Sequence, residues 1–159
     1  MKHLALTLAL TLISGPALAQ DAAARDGVLD CLRDVDNGTS WNQCLNLMFE
    51  SCDPGAVGTR DHAACLFGLR ENWRHDMQLR QTEVLKTVTP EGGATLVDLL
   101  SAWPTFVDKK CSTVAAEKED IGAASARLGC EVSEVVLISS ELRSCLDGRS
   151  REDYCVHAD

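Results

Sequence analysis

Hydrophobic residues are most regularly spaced between positions 96 and 146, where two helical stripes follow one another. In the first stripe, apolar residues recur three or four positions apart, as on one face of an α-helix. Its members are Leu96, Leu99, Leu100, Trp103, Val107, Cys111 and Val114. The second stripe has the same spacing and consists of Leu128, Val132, Val135, Ile138, Leu142, Cys145 and Leu146. A polar stretch at residues 117–120 lies between them, so the pattern predicts a helical hairpin that turns near residue 120.

Three long helices are predicted from such stripes and from the residues that cap them. They cover residues 59–88, 94–118 and 121–146. Thr59 begins the first helix, and the breaker sequence Thr-Pro-Glu-Gly-Gly at residues 89–93 separates it from the second. Pro104 lies inside the second helix, where a proline removes one backbone hydrogen bond and collides with the preceding turn. Because the apolar spacing continues on both sides of Pro104, a kink there is favoured over a new helix that begins at this residue.

The first long helix carries its own stripe, from which core residues can be predicted. Its members are Leu66, Leu69, Trp73, Met77, Val84 and Val88. Arg80 falls close to this stripe, so we expect it either to extend its charged end to water or to form a buried ion pair. From the three stripes together, the predicted core includes Trp73, Trp103, Val107 and Leu142.

Two shorter helices are predicted in the first part of the chain, at residues 22–35 and from Trp41 to about residue 52. Asp36-Asn37-Gly38 ends the first with turn chemistry, Ser40 or Thr39 caps the second, and Asp53-Pro54-Gly55 ends it. No strand-like alternation of useful length is present. The sequence therefore predicts an all-α protein, a small disulfide-stapled bundle of about five helices.

Residues 1–19 have the features of a secretory signal peptide. Lys2 precedes an apolar stretch at residues 4–13, a break follows at residues 14–16, and Ala17-Leu18-Ala19 matches an A-x-A cleavage site. The apolar stretch is shorter than the roughly 20 residues that span a bilayer. No later run is long or apolar enough for a membrane helix. We therefore expect an exported protein, periplasmic or secreted, without membrane insertion.

Eight cysteines follow this cleavage site, and an even number in an exported chain indicates disulfide bonds. They are Cys31, Cys44, Cys52, Cys65, Cys111, Cys130, Cys145 and Cys155. No Cys-x-x-Cys pair is present and the histidines are scattered, so zinc is disfavoured and no metal or cofactor is predicted.

Helix geometry favours pairing between neighbouring cysteines. Cys111 and Cys130 lie almost equally far from the turn near residue 120, so they can meet across the hairpin. The same argument applies to the cysteines on either side of the earlier turns. The predicted pairs are Cys31–Cys44, Cys52–Cys65, Cys111–Cys130 and Cys145–Cys155. A swap such as Cys44 with Cys65 remains open.

The chain is acidic, with 15 basic and 24 acidic side chains and a formal net charge of −9. Removal of residues 1–19 takes away one lysine and no acid, which leaves 14 basic against 24 acidic residues and a net charge of −10. Such a surface disfavours nucleic acid and anionic membranes as partners. It favours basic partners or serves solubility alone.

The sequence holds no catalytic motif that would identify an enzyme. A Gly-x-Ser-x-Gly elbow, a glycine-rich phosphate loop and a basic nucleic-acid patch are all absent. An enzyme would need His62 or His75 to converge with carboxylates in a pocket. Glu131 and Glu134 stand at helical spacing and are interpreted as part of a solvated face rather than as an acid and base pair.

The second half resembles the LprI-like lysozyme-inhibitor family, small exported helical domains with ordered Trp and Cys landmarks. The matching residues there are Trp103, Phe106, Asp108, Cys111, Gly129, Cys130 and Leu142. The preceding helix is similar to the family at Cys65, Trp73, Asp76 and Leu79. The resemblance covers roughly residues 60–146, and the chain departs from it at Pro104, Val135 and Ile138.

The resemblance implies a non-enzymatic binding protein of the bacterial envelope that inhibits lysozyme. Lysozyme or another basic envelope protein is then the expected partner, and exposed acids are candidate contacts. They are Asp34, Asp36, Glu50, Asp53 and Asp61. The alternative is an envelope structural or interaction module that does not inhibit lysozyme. The expected division of the chain is a signal peptide at 1–19, a Cys-rich helical hairpin at 20–58, an LprI-like domain at 59–147 and a tail at 148–159.

Overall fold

The computed structural model describes residues 17–35, 40–52 and 57–158. Within these residues the chain forms five α-helices and one short 3-10 helix, with an isolated bridge as the one extended pairing. The α-helices are α1 (Ala17–Arg33), α2 (Trp41–Phe49), α3 (Arg60–Thr87), α4 (Pro90–Ala115) and α5 (Asp120–Leu146). The 3-10 helix covers Asp153–Cys155. The all-α prediction is confirmed.

Several predicted features fall outside the described residues. These are residues 1–16 of the predicted signal peptide, the turn at residues 36–38 and the turn at residues 53–55. In the part of the chain that is described, no helix is long and apolar enough to cross a membrane.

The starts of α2 and α3 follow from caps that the sequence predicts. α3 and α5 each begin within one residue of the predicted position and end at Thr87 and Leu146. The Thr59 hydroxyl accepts a hydrogen bond from the His62 backbone N–H at 3.2 Å and so satisfies one free donor of the first turn of α3. At α2, the Ser40 backbone N–H donates to Gln43 Oε1 at 3.0 Å.

α4 begins four residues earlier than predicted. Thr89 is its N-cap and accepts from the Gly92 backbone N–H at 3.2 Å, and Pro90 occupies the first helical position, where its missing donor is harmless. The breaker sequence therefore separates α3 from α4, but most of it belongs to the first turn of α4. The helix continues through Pro104 to Ala115, and no second helix begins at the proline.

The core is organised around α5, which packs along α3 and also contacts α4 and α1. Trp73 of α3 and Val132, Val136 and Leu142 of α5 are almost fully buried. Residues of α1 and α2, including Val28 and Met48, belong to the same hydrophobic cluster. The N-terminal hairpin and the long helices thus share one core.

The predicted stripe of α4 is wider than the face that the protein buries. Leu96, Val107 and Cys111 are buried, whereas Leu99 and Val114 are 41% and 45% exposed. The long helix that packs against α4 is α5, and a helix covered along one side buries only a narrow stripe. Of the predicted core residues, Trp73, Val107 and Leu142 are buried, and Trp103 is only partly buried.

All eight cysteines are described, and all are bonded in the predicted nearest-neighbour scheme. The four pairs have Cα–Cα distances of 5.3–5.7 Å, within the ordinary range for disulfides. The swap between Cys44 and Cys65 does not occur.

The C-terminal segment packs on the junction between α3 and α4. The Thr89 backbone N–H donates to Val156 O at 2.8 Å, and the Ala158 N–H donates to Thr87 O at 3.0 Å. Tyr154 of this segment is buried. Together with the Cys145–Cys155 bond, these contacts make the predicted tail part of the folded domain.

Candidate functional site

A cleft of about 470 Å³ lies where the end of α2, the start of α3 and the first half of α5 meet. Its apolar wall includes Phe49 and Leu66, and its polar lining includes Glu50, His62 and Ser125. The volume falls in the range of small-ligand and side-chain pockets. The cleft is thus large enough to receive a projecting chemical group from a partner.

Three local features fix the shape of the cleft. The Cys52–Cys65 disulfide ties the segment after α2 to the second turn of α3. The cap at the start of α3 fixes the backbone at His62, and Ser125 lies two turns into α5. Because a disulfide bond and core packing hold these elements, the positions of the residues that line the cleft are fixed by the fold.

Two polar atoms in the cleft are buried without a hydrogen-bond partner among the described residues. They are His62 Nδ1 and the hydroxyl oxygen of Ser125, and Ser125 is only 6% exposed. A buried polar group without a partner destabilises a protein by about 1–3 kcal/mol, and such groups are rare. The other two such atoms, on Trp73 and Ser139, belong to residues that do not line this cleft.

An acidic and a basic side chain, Glu50 and His62, both line the cleft. Among its described lining residues, Glu50 is the one with a carboxylate, and its side chain is exposed at the end of α2. Asp61, next to His62, is also exposed, as is Asp34 earlier in the chain, and neither lines the cleft. The other predicted contact residues, Asp36 and Asp53, lie outside the described residues.

Ser125 and Gly129 were not predicted as site residues. Both line the cleft, and a Cβ added at Gly129 would meet no atom within 4 Å. The available signal was the series of small residues in the first half of α5, Gly-Ala-Ala-Ser-Ala at residues 122–126 followed by Gly129. Small side chains leave space beside a helix, but periodicity alone does not show whether a neighbour fills that space.

The two histidines considered for catalysis are placed far apart. His62 lines the cleft, whereas His75 is exposed on α3, about 20 Å farther along the helix axis. No hydrogen bond joins His62 Nδ1 to the Ser125 hydroxyl, although a nucleophile and its base depend on such a bond. No group of three or more potential metal ligands occurs among the residues that the structure describes.

The expectation that Glu131 and Glu134 form a solvated face is wrong. Glu134 is 6% exposed and accepts from Lys110 Nζ of α4 at 2.6 Å. Glu131 accepts from Arg70 Nη1 of α3 at 2.6 Å and from Arg127 Nε at 2.9 Å. Because α5 lies beside both α3 and α4, its flanks are covered by these helices, and the acids act as ion-pair partners between them.

Electrostatics at Glu131 favour its charged form. Burial by itself would raise the pKa of Glu131, but hydrogen bonds and positive charge from Arg127 and Arg70 outweigh burial and lower this pKa below 4.5. A second cleft of about 190 Å³ borders this group and Trp103. Of its charged lining residues, Arg70 pairs with Glu131, and the other two pair with residues outside the lining, Arg74 with Glu71 and Asp108 with Arg127.

The ion pair expected near the apolar stripe of α3 is present. Arg80 Nε donates to Asp76 Oδ2 at 2.7 Å, and both side chains are more than four-fifths buried. Of the two alternatives for Arg80, the buried pair is therefore confirmed.

The described residues form an all-α, disulfide-bonded domain with a small cleft lined by Glu50, His62 and Ser125. No family model, no curated protein and no solved structure matches this chain.

Proposed function

We propose that the protein is an exported, non-enzymatic binding protein that inhibits a lysozyme of the c type, as its resemblance to the LprI-like family implies. The cleft is the main support, because it is lined by the exposed Glu50 carboxylate and by no described lysine or arginine. Four disulfide bonds favour an oxidising compartment, periplasmic or secreted.

Charge supports the choice of partner. Lysozymes of the c type are strongly basic, and a chain with a net charge of −9 attracts such a protein over distances of about one Debye length. The exposed Glu50 carboxylate would lie in the contact, where attraction speeds association more than it slows dissociation.

The experiment is a turbidity assay of bacterial cell lysis by a c-type lysozyme, with the purified oxidised protein added in increasing amounts at low and moderate salt. We expect lysis to slow, with a larger effect at low salt. Glu50→Gln should weaken inhibition, whereas Glu83→Gln should not. Glu83 is exposed on α3, about 30 Å along the helix axis from the cleft.

Unchanged lysis with excess protein at both salt concentrations would reject inhibition of that lysozyme. It would leave the alternative, an envelope interaction module without this activity. Equal effects of the two substitutions would show that overall charge, and not the cleft, determines inhibition.

A further inference from the structure

α4 carries an apolar face that the described helices leave uncovered. Leu99 and Phe106 are 41% and 55% exposed, Ala102 is exposed between them, and Trp103 is only partly buried. Together with Ile138 of α5, these residues line a groove of about 280 Å³ in which every lining residue is hydrophobic. Single exposed apolar residues are common, whereas a contiguous patch with two aromatic rings is typical of an interaction surface.

Two side chains of opposite charge flank this face, one near each end. Asp98 and Lys109 are both exposed, and neither has an ion-pair partner among the residues that the structure describes. They are separated by about three helical turns, so they lie on the same flank of α4 and about 16 Å apart along its axis. They are therefore too far apart to pair with each other within one chain.

A second copy of α4, packed antiparallel across a twofold axis, would use both features. In such a pair, a residue before the axis meets the residue equally far beyond it on the other helix, on the same flank. The midpoint between Asp98 and Lys109 lies about one residue from the midpoint of the apolar stripe between Leu99 and Phe106. One axis therefore brings the two stripes together and pairs Asp98 of each copy with Lys109 of the other.

We propose that the protein forms a twofold dimer through this face of α4, an interaction that goes beyond the proposed function. Trp103 lies beside the axis, and Phe106 of each copy packs against Leu99 of the other. Lys110 at the end of the face already donates to Glu134 at 2.6 Å, so its charge is compensated there. A second copy is favoured over an unrelated helix because the face supplies both the acid and the base that its own antiparallel image requires.

The first measurement is the mass of the purified oxidised protein by sedimentation equilibrium. At 0.15 M salt, repulsion between two acidic chains is screened beyond about 8 Å. Between about 1 µM and about 1 mM protein, we expect the mass to rise from that of one chain to that of two, with half association in the micromolar range. The mass of one chain at all concentrations would overturn the proposal.

Phe106→Gln tests whether the apolar face forms the interface, and Phe67→Gln is its matched control. Phe67 is 50% exposed on α3, does not line the groove, and has Arg70 4.6 Å from its ring centroid, much as Phe106 has Lys110 at 5.8 Å. We expect Phe106→Gln to raise the dissociation constant at least about tenfold and Phe67→Gln to leave it unchanged. Equal effects of the two substitutions, or an unaltered dimer of folded Phe106→Gln, would refute this interface.

Charge reversal tests the antiparallel arrangement. Asp98→Lys and Lys109→Asp each place like charges opposite one another at both ends of the dimer, so each variant alone should dimerise about tenfold more weakly. In a mixed dimer of the two variants, opposite charges meet again at both ends. An equimolar mixture should therefore associate as the natural protein does, which also shows that both variants are folded. A mixture that associates no better than its components would reject the pairing of Asp98 with Lys109 and with it the proposed dimer.

Discussion

Glu131 offers a quantitative test of how α3 and α5 are held together. Its carboxylate accepts from Arg70 across the helix interface and from Arg127 on its own helix, and the Glu131 and Arg70 side chains are only 13% and 18% exposed. Glu131→Gln removes the charge and keeps the shape. Hydrogen bonds between charged groups contribute about 1.5–3 kcal/mol each, and the more exposed Arg127 contact contributes less. We therefore expect a loss of about 2 kcal/mol in the free energy of unfolding.

The pH dependence of this loss follows from the pKa of Glu131. Because the folded protein lowers that pKa below 4.5, the stabilisation is present above the ordinary carboxyl pKa and disappears as the pH falls through the folded value. Natural protein and Glu131→Gln should thus differ at pH 7 and converge at low pH, where the natural carboxyl is protonated and resembles the amide.

The assay is urea unfolding followed by circular dichroism, at neutral pH and at several values below 4.5. At neutral pH the expected loss corresponds to a fall in melting temperature of about 5–8 °C. Glu83→Gln, an exposed substitution on α3, should change neither quantity. A difference between natural protein and Glu131→Gln that persists undiminished at low pH would refute the charge-based account.

Two further predictions concern the C-terminal segment. Burial, and then the charges of Glu141 and Glu152, raise the pKa of Tyr154 above 10, so the stability that the neutral phenol provides is present below pH 10 and is lost above it. Tyr154 is the only tyrosine, so ultraviolet absorbance reports on it alone. At pH 10 its phenol should be un-ionised in the folded protein and about half ionised in urea. Half ionisation at pH 10 in the folded protein would contradict this. Gly92→Ala would place a Cβ 2.9 Å from the Tyr154 carbonyl oxygen and should destabilise by about 1–3 kcal/mol in denaturant unfolding. Gly68→Ala, with open space around it, should stabilise by up to about 1 kcal/mol, and equal effects of the two substitutions would disprove the close contact.

Local features of the sequence are sufficient for the helices and the disulfides. The stripes of α3 and α5 have the period of a helix, and Thr59 and Ser40 supply caps through their own turns. The favoured cysteine pairing follows as well, because residues equally distant from a tight turn meet across a helical hairpin, and the structure excludes the swap of Cys44 with Cys65 that the sequence left open. Each of these depends on residues close together in the chain.

Other features depend on which helices become neighbours. The sequence alone predicted Trp103 as core and Glu131 as solvated. Trp103 is only partly buried because α5 covers one side of α4, and Glu131 is covered because α3 and α4 lie along the flanks of α5. The start of α4 was also missed, although Thr89 and Pro90 supply a local cap and first helical residue, because the proline and glycines were interpreted as a breaker.

The cleft also combines a residue that the sequence identifies with residues that only the packing of the helices brings to it. His62 was noticed from its residue type, but Ser125 and Gly129 join it only when the first half of α5 lies beside the start of α3. The amino-acid sequence by itself determined the helices, their caps, the cysteine pairs and the net charge, because these arise from contacts within a few turns of chain. Only the tertiary structure decided which faces are covered and which polar atoms stay unpaired, because burial is set by neighbours that are remote in sequence.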